Sequence, residues 1–259
     1  MKRFWSAVAT LAFAWLGTAL FASEAEKTVE PAAVADKDDS AAVATLKKAG
    51  AKLDVDEEGY VRAVEMGKLQ ITDEDLAAVA KLSRLEHLEI AGGDVTDAGV
   101  AHLAGLKRLR RLYLHDLPIT DAAFESLKDL PKLEVLSAQR TKVTGAGLAA
   151  FKGHSSLHVL NLSNTRTGDE ALALMKDIPN LDTIALADTA VTGPALKHLR
   201  ALKLLRVLNL NRCKVADADL YHLVGLTNLR MLYVHGCKIT EENVEKFKDK
   251  MEGLAVYYD

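Results

Sequence analysis

The chain has 259 residues, of which 49% are hydrophobic, so it is long enough to bury a large core. Lys and Arg number 33 against 36 Asp and Glu, which gives a formal net charge of -3 at pH 7. This balance provides no global basic field, so nucleic acid is not a predicted partner.

The N-terminal residues 1–23 have the layout of a secretory signal peptide. Lys2 and Arg3 precede a mostly apolar stretch that ends in small residues. The alternative is an uncleaved membrane anchor, because the stretch approaches the roughly 20 residues that span a bilayer. Residues 24–39 are charged and Ala-rich, contain no aromatic residue, and are predicted to form a disordered tether.

Residues 40–60 are predicted to form an N-terminal cap made of a helix and a hairpin. The helix is expected to begin with Ser40 as its N-cap and to stop at Gly50. The hairpin is expected to join Lys52–Val55 to Tyr60–Met66, and its second arm is already the first repeat strand. Such a unit would cover the open end of a repeat array.

A 24-residue repeat of L-x-x-L-x-L type occupies residues 61–253 in eight units, of which the last has 25 residues. A period of this length predicts a solenoid, in which each unit is one coil stacked on the next. The first apolar position of each unit is held by Val61, Leu85, Leu109, Leu133, Leu157, Leu181, Leu205 and Leu229.

The second half of most repeats predicts a short helix. A hydroxyl residue precedes the helical pattern and is expected to be its N-cap, as at Thr72, Thr96, Thr120 and Thr192. The chain closes with residues 254–259, predicted to be a strand that lies one residue out of register with the repeat. Tyr257 and Tyr258 are expected to shield this final edge.

The motif L-x-x-L-x-L followed by T/C-x-I/V-T-D-x-x-L-x-x-L resembles the leucine-rich-repeat family, in its cysteine-containing and ribonuclease-inhibitor-like subclasses. The resemblance runs from Val61 to Asp259. It implies an α/β horseshoe solenoid with a parallel β-sheet on the concave side and short helices on the convex side. It also implies a concave protein-binding face, often in exported bacterial proteins. Gly93 and Leu117 depart from the Thr or Cys usual at the ninth position.

Two sequence features could suggest a ligand or a covalent bond. Gly145–Ala150 matches a G-x-G-x-x-A nucleotide fingerprint, but Gly147 occupies the repeat position of Gly99, so no cofactor is predicted. Cys213 and Cys237 hold the ninth position of adjacent coils, at a separation that a disulfide tolerates. Parallel side-chain directions favour two buried free thiols over the disulfide.

No catalytic or metal-binding residue is predicted. His102, His198 and His222 share one helical position, but no further ligands accompany them as a zinc site requires. Ser137 could lie near His115 on neighbouring strands and imitate a nucleophile and its base. The connecting loops are nevertheless too short to carry catalytic groups, so the protein is predicted not to be an enzyme.

The concave face is the predicted partner-binding surface. Side chains alternate along a strand, so the third, fifth and seventh repeat positions point away from the leucine core. The two ends of this face carry larger side chains, around Tyr113 and Tyr233, and the middle carries small residues. Tyr and Arg are frequent anchors of protein interfaces. The alternative is an inert polar surface, because Tyr is also a good strand former. The candidate binding residues are His87, Glu89, Arg111, Tyr113, His115, Asn161, Asn209, Asn211, Met231, Tyr233 and His235.

The predicted function is that of a non-catalytic scaffold for protein–protein interaction, with a protein preferred over a glycan as the partner. Its predicted location is periplasmic, cell-surface or secreted, with a membrane contact only if residues 1–23 are retained. The alternative function is a structural component of the cell envelope that packs through its ends or its convex helices and leaves the concave face unused.

Overall fold

The computed structural model describes residues 38–67 and 70–258, which form a solenoid of stacked coils. Within these residues, ten strands form one sheet in chain order. β1 (Lys52–Val55) pairs antiparallel with β2 (Val61–Gly67), and every later pairing is parallel. Strands β3 to β10 are His87–Ala91, Arg111–His115, Val135–Ser137, Val159–Asn161, Thr183–Ala185, Val207–Asn209, Met231–Tyr233 and Ala255–Tyr257. The predicted signal peptide and residues 24–37 lie outside the described residues.

Short helices connect the strands, as the repeat predicts. The α-helices α1 to α6 are Ser40–Lys48, Asp73–Val79, Asp97–Ala101, Ala122–Leu127, Asp169–Met175 and Glu241–Lys248. The 3-10 helices are His102–Gly105, Ala146–Phe151, Gly193–Ala201 and Asp217–Leu223. A 3-10 helix rises about 2.0 Å per residue, compared with about 1.5 Å for an α-helix. Fewer residues are therefore needed to cover the same length on the helical side of a coil.

The leucine frame forms one continuous core, which confirms the predicted solenoid. All parallel strands pair with an offset of one full repeat, so equivalent positions of successive coils stack directly. Leu136, Leu160 and Ile184 are such partners, and all three are fully buried. Full burial of an aliphatic side chain contributes about 1.5–3 kcal/mol. Every frame position of the eight repeats is buried in this way.

The predicted cap helix and hairpin are both present. α1 stops before Gly50, whose φ of 85° belongs to the left-handed region that glycine adopts without strain. In the turn between β1 and β2, the Asp56 carboxylate accepts the backbone N–H groups of Glu58 and Tyr60 at 3.0 and 2.9 Å. These bonds fix the hairpin against the first repeat strand.

The cap extends two residues further towards the N-terminus than the composition suggested. Asp38 is only 4% exposed, and its carboxylate accepts the N–H groups of Val61 at 2.7 Å and Ser83 at 3.1 Å. Asp39 is the N-cap of α1, where it accepts two N–H groups of the first turn. The prediction of a tether through residue 39 is therefore wrong at these two positions, and the predicted N-cap Ser40 is instead the first helical residue.

The last strand keeps the register of the repeat. Ala255 pairs with Met231 and Val256 with Leu232, again one full repeat apart, so the predicted one-residue shift is wrong. Leu254 suggested the shift because it looks like the first frame residue. It instead precedes β10 and is buried at the end of the core.

An Asp–Thr ladder links successive coils where the helices begin. The Asp97 carboxylate accepts the backbone N–H of Thr120 at 2.7 Å and its hydroxyl at 2.6 Å. Hydrogen bonds to a carboxylate are stronger than bonds between neutral groups. The same pair occurs as Asp73–Thr96, Asp121–Thr144, Asp169–Thr192 and Asp217–Thr240. Thr72, Thr96 and Thr192 are N-caps as predicted, whereas Asp121 takes this position instead of Thr120. The Thr96 hydroxyl serves both roles, because it donates to Asp73 of the preceding coil and accepts the N–H of Ala98 in its own helix at 3.2 Å.

Where one partner of the ladder is missing, the other is missing too. Gly145 replaces the Asp in its coil, and Gly168 replaces the Thr of the next coil. Gly193 and Ala216 form the second such pair. The N–H of Ala216 is held instead by Asp219 of its own coil, at 2.8 Å. The two positions of the ladder therefore act as a unit.

A double-mutant cycle on Asp97 and Thr120 is expected to show this coupling. Asp97→Ala and Thr120→Ala should each lower the free energy of unfolding by about 1–2 kcal/mol. The double variant should lose little more than Asp97→Ala alone, because Asp97→Ala already removes the hydroxyl bond that Thr120→Ala removes, together with the bond from the residue-120 N–H. Urea denaturation measures each value. Combining Asp54→Ala, at an exposed residue of β1, with Thr120→Ala is the control and should be additive; additivity in the Asp97 cycle would contradict the ladder.

Candidate functional site: the concave face

The concave face is defined here as the sheet face opposite the leucine core. Burial alternates as predicted in β3, β4 and β9: in β4, Leu112 and Leu114 are buried, whereas Arg111, Tyr113 and His115 are only half-buried on the other face. In β7 and β8 every residue is buried, so the middle of this face is less exposed than its two ends. The predicted binding residues therefore lie on the concave face, and they form two clusters and a middle that differ in chemistry.

The first cluster is a row of rings across β3 and β4. The ring of Tyr113 lies 5.4 Å from that of His87 and 5.8 Å from that of His115, between centroids. His115 Nε2 is 3.0 Å from the Ser137 hydroxyl. Burial, helped by the positive charge of Arg140, lowers the pKa of His115 from 6.5 to about 4. The ring is therefore neutral at pH 7, and this cluster is an aromatic surface.

Two carboxylates adjoin the first cluster. Glu89 and Glu65 are direct partners on β3 and β2. Burial raises the pKa of Glu89, and the nearby charge of Glu65 raises it further. Glu89 also lies 4.0 Å from His87 Nε2, and Glu65 lies 3.8 Å from the Lys52 ammonium. The surface beside the rings therefore carries two carboxylates, of which Glu65 is paired with Lys52.

The second cluster lies on the last two strands. The rings of Tyr233 and Tyr257 stack with centroids 4.6 Å apart and an interplanar angle of 10°. The Tyr233 hydroxyl is 3.6 Å from the Met231 sulfur, and His235 is exposed at the end of the same coil segment. Tyr257, which is 46% exposed, was not among the predicted binding residues. Tyr257 lies one repeat after Tyr233, and this spacing could have identified it from the sequence.

The predicted polar residues in the middle of the face are buried and bind the backbone. Asn161, Asn209 and Asn211 are at most 6% exposed. Their side-chain oxygens accept the N–H groups of Ser163, Asn211 and His235, at 3.1, 3.0 and 2.8 Å. Because these strands have only three residues, the side chains satisfy N–H groups that follow the strand end.

The arrangement of Ser137 and His115 does not amount to a catalytic triad. Ser137 is 2% exposed, so its hydroxyl is closed to a substrate. Asp116, which could orient the imidazole, instead accepts a hydrogen bond from the Arg140 guanidinium at 2.6 Å. A triad needs an accessible nucleophile and a carboxylate that holds the histidine.

The remaining candidate ligand sites are occupied by the chain itself. The N–H groups of Gly145 and Gly147, which a phosphate would need, both donate to Asp121 at 3.0 Å. Cys213 and Cys237 are free, as predicted, and their thiols donate to backbone oxygens at 3.0 and 3.1 Å. Burial raises the pKa of both thiols. Across residues 38–67 and 70–258, no group of three His, Cys, Asp or Glu is placed to hold a metal, and no helix has the length and hydropathy to span a membrane.

No protein-family model matches the chain, and no curated protein matches it. Several solved structures are nevertheless similar to the chain. Internalin C2 from Listeria monocytogenes has a TM-score of 0.58 and 17% identity, over 91% of this chain and 100% of that one. A second internalin from that organism (inlF) has a TM-score of 0.55 and 20% identity, over 71% of this chain and 57% of that one.

A plant receptor is also similar in structure. The leucine-rich-repeat ectodomain of the Arabidopsis thaliana receptor kinase GASSHO1/SCHENGEN3, solved in complex with CASPARIAN STRIP INTEGRITY FACTOR 2, has a TM-score of 0.57 and 17% identity. The match covers 79% of this chain and 25% of that one, so this chain spans only part of the receptor ectodomain, as it does of the inlF internalin. All three structures are leucine-rich-repeat proteins. The described part of the chain therefore has the leucine-rich-repeat solenoid fold.

Proposed function

We propose that the protein is a non-catalytic exported scaffold that binds a protein partner through its concave face. The observation that carries the proposal is the pair of aromatic clusters at the two ends of a face that is otherwise made of small residues. Tyr113 and Tyr233 are their central residues, and tyrosines are frequent anchors of protein interfaces. The structurally similar receptor ectodomain was solved with a bound partner, which supports the proposal.

The rings are held in place before a partner arrives. Tyr233 stacks on Tyr257, and Tyr113 lies between two imidazoles. Binding therefore costs less side-chain entropy than it would with freely rotating rings. Between the clusters, Ala185 is buried and its small side chain does not project from the face.

The distance between the clusters indicates the size of the partner. β4 and β9 are five strands apart, and neighbouring strands are separated by about 4.8 Å, so the clusters lie roughly 24 Å from each other. A small molecule cannot contact both. A folded surface or an extended segment of a protein can do so, and it would place basic groups near Glu65 and Glu89.

Export belongs to the same proposal and has a separate test. The signal-peptide layout of residues 1–23 supports it. The intact mass of the protein recovered outside the cytoplasm is expected to correspond to a chain without these residues. A mass that includes Met1 would favour the retained membrane anchor.

Concave-face binding is tested with three forms of the protein used as bait on material from its own cell envelope. The double variant Tyr113→Ala/Tyr233→Ala is expected to lose a partner that the wild type captures. The control variant Leu204→Ala/Val224→Ala removes two large exposed apolar side chains away from the concave strands, and should keep it. Mass spectrometry identifies the captured proteins.

The opposite pattern supports the alternative function. If the concave variant keeps every partner and the Leu204/Val224 variant loses them, the protein packs through its other surfaces, as expected of a structural envelope component. Circular dichroism of each bait shows that the substitutions leave the fold intact.

A further inference from the structure

A row of cations lies along the loop edge that follows the carboxyl ends of the strands. Lys142, Arg166, Lys214 and Lys238 hold the same tenth repeat position in their coils. All four side chains are exposed. Within residues 38–67 and 70–258, none of them forms an ion pair or a side-chain hydrogen bond. We call this row the cationic edge.

The backbone of each coil holds the positions of the cationic edge in register. The N–H of Lys142 donates to the Ile119 oxygen of the preceding coil at 3.0 Å, and that of Lys238 to the Val215 oxygen at 2.9 Å. Arg166 and Lys214 make the equivalent bonds. Successive coils are about 4.8 Å apart, so the four cations span roughly 19 Å over five coils, with one gap at Ala190.

Charge is segregated onto this edge. The loop segments 140–144, 164–168, 188–192, 212–216 and 236–240 contain six Lys or Arg residues and one Asp, although the whole chain has a net charge of -3. Two of the six, Arg140 and Arg212, are neutralised by Asp116 and Asp188. The other four are those of the cationic edge. Their charge therefore attracts anions from solution, although the protein as a whole is slightly acidic.

A groove runs beside the first part of the cationic edge. It is open to solvent, has a volume of about 750 Å³, and crosses the coils instead of following a strand. Its lining includes Arg140, Lys142 and Arg166. It also includes three carboxylates, Asp94, Asp116 and Asp188, of which Asp116 is paired with Arg140 and Asp188 with Arg212. A linear molecule that lies across the coils fits this shape, and it would pass each cation in turn.

We propose that the cationic edge binds an anionic polysaccharide. One sugar residue of an extended polysaccharide rises by about one coil spacing, so acidic sugars can match successive cations. Like-facing side chains of an extended peptide lie two residues apart, about 6.6 Å, and do not match the roughly 4.8 Å spacing. Binding of single-stranded nucleic acid draws on aromatic stacking, and the five loop segments contain no aromatic residue.

The test measures binding of polygalacturonate, which carries one carboxylate per sugar, to the protein and to three variants. Lys142→Gln/Arg166→Gln and, independently, Lys214→Gln/Lys238→Gln are each expected to weaken binding about tenfold or more, and raising NaCl from about 50 to about 200 mM should weaken wild-type binding. Arg108→Gln/Lys132→Gln is the matched control. It also removes one Arg and one Lys from adjacent coils, both exposed and unpaired within the described residues, but at the opposite edge of the sheet. Its affinity should stay within about twofold of wild type.

Several outcomes would overturn the proposal. Equal loss in the control and the edge variants would mean that only net charge matters. Binding of polyglutamate, oligothymidylate or anionic phospholipid vesicles as tight as that of polygalacturonate would contradict the assignment to a polysaccharide. Binding of neutral dextran with the same affinity would show that the cations are not used, and absence of polygalacturonate binding would refute the site.

Discussion

Asp38→Ala is expected to lower the free energy of unfolding by about 2–4 kcal/mol, although the residue lies in a stretch whose composition predicts disorder. The substitution leaves the N–H of Val61 without its acceptor in a buried environment, and it also removes the acceptor of the part-buried Ser83 N–H. Each unsatisfied buried donor costs about 1–3 kcal/mol. Urea denaturation measures the loss. Asp54→Ala, on exposed β1, is the matched control and should change the stability by less than about 0.5 kcal/mol.

Truncation provides a second test of the same interaction. A chain that begins at Ser40 lacks Asp38 and also the Asp39 cap of α1, which contributes about 1 kcal/mol more. It should unfold at a clearly lower urea concentration than a chain that begins at Val34. Equal midpoints would show that the two carboxylates contribute nothing to the cap.

Gly93→Thr is expected to cost about 3 kcal/mol or more, although it restores the residue found at the ninth position in later coils. Gly93 has a φ of 110°, where a side chain strains the backbone by about 1–3 kcal/mol. A Cβ there would lie 2.6 Å from the Ile71 carbonyl oxygen. That oxygen belongs to the backbone of the preceding coil and cannot rotate away, so overpacking adds about 1–3 kcal/mol.

Two further variants separate the causes in this prediction. Gly93→Ala adds only the Cβ, and it should account for most of the loss if the backbone clash dominates. Gly105→Ala is the control, because a Cβ at Gly105 meets no atom within 4 Å. Its change should stay within about 0.5 kcal/mol. A Gly93→Thr protein that unfolds at the wild-type urea midpoint would contradict the strain argument.

The core and the alternation of the sheet could be predicted because they follow from periodicity. The one-repeat spacing of Leu136, Leu160 and Ile184 stacks them only if the coils pair in register, and in-register pairing then directs the intervening side chains to the opposite face of the sheet. The free thiols of Cys213 and Cys237 follow from the same rule, since equivalent positions have parallel side chains. Such features repeat along the chain, so a local irregularity does not hide them.

Features that depend on a single hydrogen-bond partner could not be predicted in the same way. Asp38 resembles its charged neighbours until the fold brings Val61 and Ser83 to it, from 23 and 45 residues away. Asn161 and Asn211 look like exposed polar residues, but the short strands turn their side chains to backbone N–H groups. The partners of these groups depend on how closely the coils approach, and no pattern of residue types records that distance.

The amino-acid sequence by itself determined the coil, its period, its buried frame and the two aromatic ends of the concave face, because hydrophobic burial is summed over many equivalent positions and tolerates exceptions such as Gly93. Only the tertiary structure decided the register of β10 and the carboxylate partners of the cap, of the ladder and of Arg140 and Arg212. These depend on directional contacts over about 3 Å and on the spacing between coils, which exist only after the coils have stacked.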